Sequence, residues 1–373
     1  QEASCKSCQM LMPRVAILSP SLTTADAVSN DALGMFDALM RHGHQVRLFC
    51  ESHSLRHSGI SDLARIEKFL KGPADILLYH HSRGWDRGLE LIKGLRCRRV
   101  IKYHNVTPAK FFAGFNSSER EPCETGRKQL LDLAAAECDL YLSDSAFNMQ
   151  ELIAIGAGAS KSFVVPPFHH IDRLSKITAD QETVRKYSDG IANILSVGRV
   201  VPNKSLHHLI EVFAHYHYNG NDNSRLIIVG KGGEGFSPYP KLLLRLVDRL
   251  GLQDAVVFTG GVSDEVLKAY YLLADVFVTV SEHEGFCVPL VEAMSMKVPI
   301  TAYASTAIPE TIGDAGIVWP DRNPLLIAES IDLLMRESSV RNALAERGLR
   351  RYEAMFSNQK IESSFLNAMA TLQ

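Results

Sequence analysis

From Arg14 onward, short apolar runs alternate with amphipathic stretches. Val15 to Ser19, Gln45 to Cys50, Asp75 to His80, Arg99 to His104, Asp139 to Ser143 and Ser162 to Val165 read as parallel strands buried on both faces, because each is built around a short apolar run of β-branched, leucine and aromatic residues. The stretch Asp31 to His42 has the helical period, with Asn30 as the expected N-cap and Gly43 as the stop.

The rhythm breaks from His169 to Gly190, a polar, charge-rich segment without an apolar stripe, which is expected to link two domains. It then restarts. Strands are expected at Asn193 to Val197, Arg225 to Val229, Ala255 to Thr259, Val276 to Val280 and Pro299 to Ala302. Helices are expected near Ser205 to Tyr218, Tyr239 to Leu250, Asp264 to Leu273 and Pro289 to Met296, with closing helices at Pro324 to Met335, Ser339 to Met355 and Gln359 to Leu372. The fold class is therefore α/β, with two Rossmann-like doubly wound domains, residues 12–175 and 190–356, facing a central cleft. The last helix, about 357–373, is free in this reading to return to the first domain.

A chain of 373 residues is long enough for two cores, and 46% hydrophobic with 22% charged residues is a globular balance. A formal net charge of −2 gives no electrostatic reason to expect nucleic acid. Without a run of 18 apolar residues or a basic-then-apolar start, the chain reads as cytoplasmic. The odd count of seven cysteines argues against a disulfide framework. Cys5 and Cys8 form a C-x-x-C with no second ligand pair at zinc spacing, so no metal is expected there.

Two segments carry the chemistry. The strand ending at Val197 runs into Gly198 and Arg199, and Lys204 stands at the head of the next helix. A guanidinium, an ammonium and free N–H groups together suit a diphosphate, although two surface cations at a strand end fit the spacing equally well. After Val280 comes Ser281-Glu282-His283-Glu284-Gly285-Phe286-Cys287-Val288-Pro289-Leu290-Val291-Glu292. Pro289 suits a first helical turn and leaves the N–H groups of Gly285, Phe286, Cys287 and Val288 open to a ligand. The carboxylate of Glu292 matches a ribose diol, or simply the helix dipole.

The G-R-x4-K pattern followed by E-x7-E, inside E-G-F-x-x-P-x-x-E-A-M, resembles the retaining family 4 glycosyltransferases of the GT-B fold. The likeness spans about Ile194 to Phe356, including Val298-Pro299-Ile300, Ile308-Pro309-Glu310 and Gly313-Asp314-Ala315-Gly316. It implies that Arg199 and Lys204 neutralise the donor phosphates and that Glu292 holds the ribose. It also implies that Glu284 and the main chain of residues 285–288 meet the transferred sugar, while Gly230, Gly260 and Val262 approach the nucleotide. His104, in Tyr103-His104-Asn105, stands where such families place a histidine facing the donor sugar. The Gly-Gly pair that many relatives carry after the first strand is replaced by residues 21–30, leaving Ser29, Asn30, His81 and Thr107 as acceptor-side candidates.

Other motifs are weighed against this. His80 and His81 are neighbours on one strand and point to opposite faces, so they do not share an ion. No D-x-D pair is present, and the expectation is a metal-independent reaction with no cofactor. Gly230-Lys231-Gly232-Gly233-Glu234-Gly235 satisfies G-x-G-x-x-G, but two prolines follow where a nicotinamide site needs a helix. Five cations between Lys93 and Lys102 offer either a solvated helix end or weak peripheral membrane contact. The expected activity is transfer of a sugar from a nucleoside-diphosphate sugar, UDP before GDP, to a saccharide or other hydroxyl acceptor, with retention, in polysaccharide or glycoconjugate synthesis. Rival readings are a nucleotide-sugar epimerase, an oxidoreductase and a non-catalytic sugar-nucleotide sensor.

Overall fold

The computed structural model describes residues 12–24, 26–115, 117–232 and 238–372. The Cys5 and Cys8 pair and the second half of the glycine run, 233–237, lie outside the described residues. The first sheet is built from β1 (Arg14–Leu22), β2 (Gln45–His53), β3 (Ile60–Asp62), β4 (Ile76–His81), β5 (Arg98–Tyr103), β6 (Leu140–Ser143) and β7 (Ser162–Val164). The second is built from β8 (Ala192–Val197), β9 (Ser224–Val229), β10 (Val256–Gly260), β11 (Val276–Thr279), β12 (Ile300–Tyr303) and β13 (Gly316–Trp319). Their orders are β3-β2-β1-β4-β5-β6-β7 and β10-β9-β8-β11-β12-β13, with parallel pairing in both. Each is an α/β doubly wound sheet, and each reverses strand order at its first strand, where a ligand crevice opens at the carboxyl ends.

The central strands are apolar because helices cover both faces; every residue of β4 is buried. Two strands escape the sequence reading, β3 and β13, both at sheet edges, where partly exposed residues blur the apolar signal. The first helix, Ala27–Arg41, starts earlier than its pattern suggests. Asp26, not Asn30, is the N-cap and accepts the N–H of Ser29.

The segment after β7 is not an irregular linker. It forms two short helices, Ile171–Lys176 and Gln181–Tyr187, the second capped by Asp180. Ile171 and Tyr187 join the core around Phe277 and Leu290, so the crossover is fastened to the second sheet. At the other end, the helix Asn358–Ala370 returns to the first domain and inserts Ile361, Phe365, Ala368 and Met369 among Val15, Phe36 and Phe168.

Candidate active site

The segment between β11 and the helix Val288–Ser295 is held in place before any ligand arrives. Asn203 donates from Nδ2 to the carbonyl of His283 at 3.1 Å, and its own carbonyl takes the N–H of Glu282 at 2.8 Å. Thr306 accepts the N–H of Glu284 and donates to its carbonyl, both at 2.8 Å. Cys287 adopts a left-handed φ of 76° and turns the chain into the helix. The side chain of Phe286 packs on Phe356, and its carbonyl accepts from Thr311 at 2.9 Å, so both are turned into the fold.

Lys204 closes a 3₁₀ turn, Pro202–Lys204, made possible by Ser205 at a left-handed φ of 50°. Its Nζ lies 2.5 Å from Oε1 of Glu284, and both side chains are largely withdrawn from water. Burial alone would lower the lysine's pKa, but the charge and hydrogen bond of Glu284 together with the nearby Cys287 outweigh it and the net direction is upward. Arg199 is exposed and lies close enough to the helix Ser117–Ala135 for its charge to act on Cys123. Gly198 and Gly230 have φ of 154° and 152°, and a Cβ on Gly230 would stand 1.8 Å from the Gly198 carbonyl. The close crossing of the β8 and β9 ends therefore requires glycine at 230, while at 198 the backbone angle favours it. Gly260, at φ 69°, accepts the N–H of Gly230 at 3.0 Å, and Val262, two residues on, is half-buried.

Glu292 is buried. Tyr271 donates to its Oε2 at 2.6 Å, and Nε2 of His170 lies 3.6 Å from its Oε1. Burial pushes its carboxyl pKa upward.

Across the cleft, β5 ends at a buried polar cluster. His104 shares its Nε2 with Nδ1 of His80 at 2.8 Å and its Nδ1 with Asp144 at 3.0 Å. Asp144 also pairs with Lys102 at 2.5 Å, and Lys102 donates to the carbonyl of Val165. Asp31 lies 3.6 Å from His104 and 3.7 Å from Lys102 through the same Oδ2. Burial raises Asp31, whereas in Asp144 the nearby His104 and Lys102 overcome burial and lower it. Asp31, His80 and His104 have the spacing of metal ligands. The ammonium of Lys102 already supplies positive charge to them, and 2.8 Å between two imidazole nitrogens is a hydrogen bond, so the set also stands as an internal salt-bridge network.

With both ring nitrogens engaged, His104 offers the cleft its carbonyl. A Cβ on Gly285 would stand 2.5 Å from that oxygen. Asn105, at a left-handed φ of 69°, accepts from Nε2 of His283 at 2.8 Å and donates to Asn148 at 2.8 Å. The two domains therefore touch through His104 and Asn105 on one side and residues 283–285 on the other.

The acceptor-side candidates separate. Ser29 is fully buried, donates to Asp26 at 2.7 Å and receives the Thr23 N–H at 2.9 Å, so its hydroxyl is occupied inside the fold. His81 is fully buried against the Gly126 carbonyl at 3.0 Å and the Tyr79 hydroxyl at 3.3 Å, on the face opposite His80. Asn30 reaches Nδ1 of His170 at 3.3 Å. Thr107 is half-buried in the loop after β5. Asn105, Asn203, Thr306, His283 and His170 were not marked as site residues by sequence. They are polar residues in the loops that follow strands, a position that many residues without a site role share.

Residues 181–351 match the family described as glycosyl transferases group 1. A D-inositol 3-phosphate glycosyltransferase of Geodermatophilus obscurus is 28% identical over 62% of this chain and 52% of the relative, so the chain spans about half of that protein. A GDP-mannose-dependent alpha-mannosyltransferase of Mycobacterium tuberculosis is 26% identical over 84% of this chain and 83% of the relative. Among solved structures, HepE of Anabaena in complex with UDP and glucose superposes with a TM-score of 0.76 at 16% identity, over 96% of this chain and 99% of that one. WaaG, a glycosyltransferase involved in lipopolysaccharide biosynthesis, does so with a TM-score of 0.69 at 17% identity, over 94% and 98%. The shared architecture is the GT-B fold.

Proposed function

We propose that this chain, whose residues 181–351 match the glycosyl transferases group 1, transfers a sugar from a nucleoside-diphosphate sugar to a hydroxyl acceptor with retention at the anomeric carbon. The observation that carries the reading is the Lys204 and Glu284 pair, seated beside the open main chain of residues 285–288 and opposite the His104 carbonyl. An arriving diphosphate competes with Glu284 for the ammonium, and Arg199 adds a second cation at the mouth. As the diphosphate leaves, both cations meet its growing charge. Positive charge at the anomeric carbon faces the His104 carbonyl and the departing phosphate. No side chain is given the role of nucleophile, and neither a metal nor a cofactor has a part.

Uridine diphosphate is the favoured donor nucleotide and guanosine diphosphate the next. The acceptor is a saccharide or another hydroxyl compound in polysaccharide or glycoconjugate synthesis, with Lys93, Arg96, Arg98 and Arg99 as a weak membrane contact; Lys102, the fifth cation of that run, is buried and paired with Asp144 and has no part in it. No described helix is long and apolar enough to cross a membrane.

The test is incubation with UDP- and GDP-sugars, with and without sugar acceptors, while free nucleoside diphosphate is measured. Release that depends on Lys204 supports transfer or its hydrolytic leak. Epimer formation, or tight binding without turnover with every acceptor tried, overturns the transferase reading.

A further inference from the structure

We propose that His170 completes the ribose seat, acting with Glu292 as a pair that holds the 2′-hydroxyl; this rests on the donor site proposed above. The amide nitrogen of Asn30 can only donate, and it lies 3.3 Å from Nδ1 of His170. That contact makes Nδ1 an acceptor and leaves the ring N–H on Nε2. Nε2 is buried without a hydrogen-bond partner. It faces Oε1 of Glu292 at 3.6 Å, beyond hydrogen-bond reach.

A buried N–H and a carboxylate oxygen held just too far apart form a seat for a hydroxyl. The hydroxyl accepts from Nε2 and donates to Oε1, satisfying both groups at once. Tyr271 fixes the carboxylate through its other oxygen at 2.6 Å, so Oε1 keeps its aim.

The chain that carries the ring is also held, through the two residues before it. On its N-terminal side, the Phe168 N–H donates to Asp31 at 2.8 Å, and Gly34 leaves the room that the Phe168 ring fills. His169 is tied to the Phe356 carbonyl at 2.7 Å, and Asn358 donates to its carbonyl at 2.9 Å. His170 thus sits at the crossover, touching the first domain through Asn30 and the second through Glu292. It is a specificity-determining residue toward the ribose and a link between the domains.

The experiment measures binding of UDP and GDP, each beside its 2′-deoxy counterpart, to the full chain by calorimetry. Wild-type protein should bind the ribonucleotide about tenfold more tightly than the deoxy form. His170→Ala should weaken the ribonucleotide about tenfold and bring the two affinities to within about twofold. His170→Gln, which returns an N–H near the Nε2 position, should recover part of the discrimination even where the alanine variant folds poorly. Unchanged discrimination in His170→Ala or its absence from wild-type protein overturns the proposal while leaving the donor site standing. Failure of wild-type protein to bind either nucleotide overturns the donor site itself.

Discussion

Nζ of Lys204 and Oε1 of Glu284 stand 2.5 Å apart, contributed by two segments of the second domain and both largely buried. Removing one partner strands the other charge away from water. Lys204→Ala is therefore expected to weaken nucleoside-diphosphate binding at least tenfold and to cost about 3 kcal/mol of stability. Lys204→Ala with Glu284→Gln should regain stability without regaining affinity. Denaturant midpoints and calorimetry on the single and double variants separate the two effects, and a double variant no more stable than the single refutes the pairing as its cause.

Gly285 has no room for a side chain, because the His104 carbonyl would lie 2.5 Å from its Cβ and Cβ of Asn105 2.9 Å. Gly285→Ala should hold the domains apart at the point of chemistry. Turnover is expected to fall about a hundredfold, the scale of a 1 Å misplacement, with little change in unfolding midpoint. Scattering in solution should show a larger radius of gyration with donor bound. Wild-type turnover would show that the contact at Gly285 is dispensable.

Asn105 combines a left-handed φ of 69° with the hydrogen bond to His283 at 2.8 Å. Asn105→Gly relieves the backbone and loses the bond; Asn105→Ala loses the bond and strains the backbone by about 1 kcal/mol. Both variants should raise KM for the donor, and the glycine variant should be the more stable. Equal stabilities measured by urea unfolding would remove the backbone argument.

Burial lowers the pKa of His81 and of His283 to about 4 and lowers that of His80 too. An unfolded histidine takes a proton near 6.5, so these rings favour the folded state above that pH and progressively lose the contribution as pH falls toward 4. Each depression to about 4 corresponds to roughly 3 kcal/mol. Wild-type protein should lose stability steeply between pH 6.5 and 4, and His283→Gln, which keeps a donor toward Asn105, should flatten part of that slope. Parallel stability curves for the two proteins would exclude His283 from it.

The sequence by itself determined the two doubly wound sheets, because strands covered on both faces are written in near-continuous apolar residues, as in Val15 to Leu18 or Val276 to Val280. It also marked Gly198, Arg199, Lys204, Glu284 and Glu292 by their order, since residues near one strand end and one helix start are placed by local geometry. It missed β3 and β13, whose positions at the sheet edges leave their residues partly exposed and their apolar signal weak. Only the tertiary structure decided what each polar residue faces. His104 meets His80, 24 residues away, and Asp144, 40 away; Asn105 meets His283 across 178 residues; His170 joins Asn30 and Glu292. Such contacts depend on how the sheets order their strands and how the domains close. Neither is encoded in the spacing of residues along the chain.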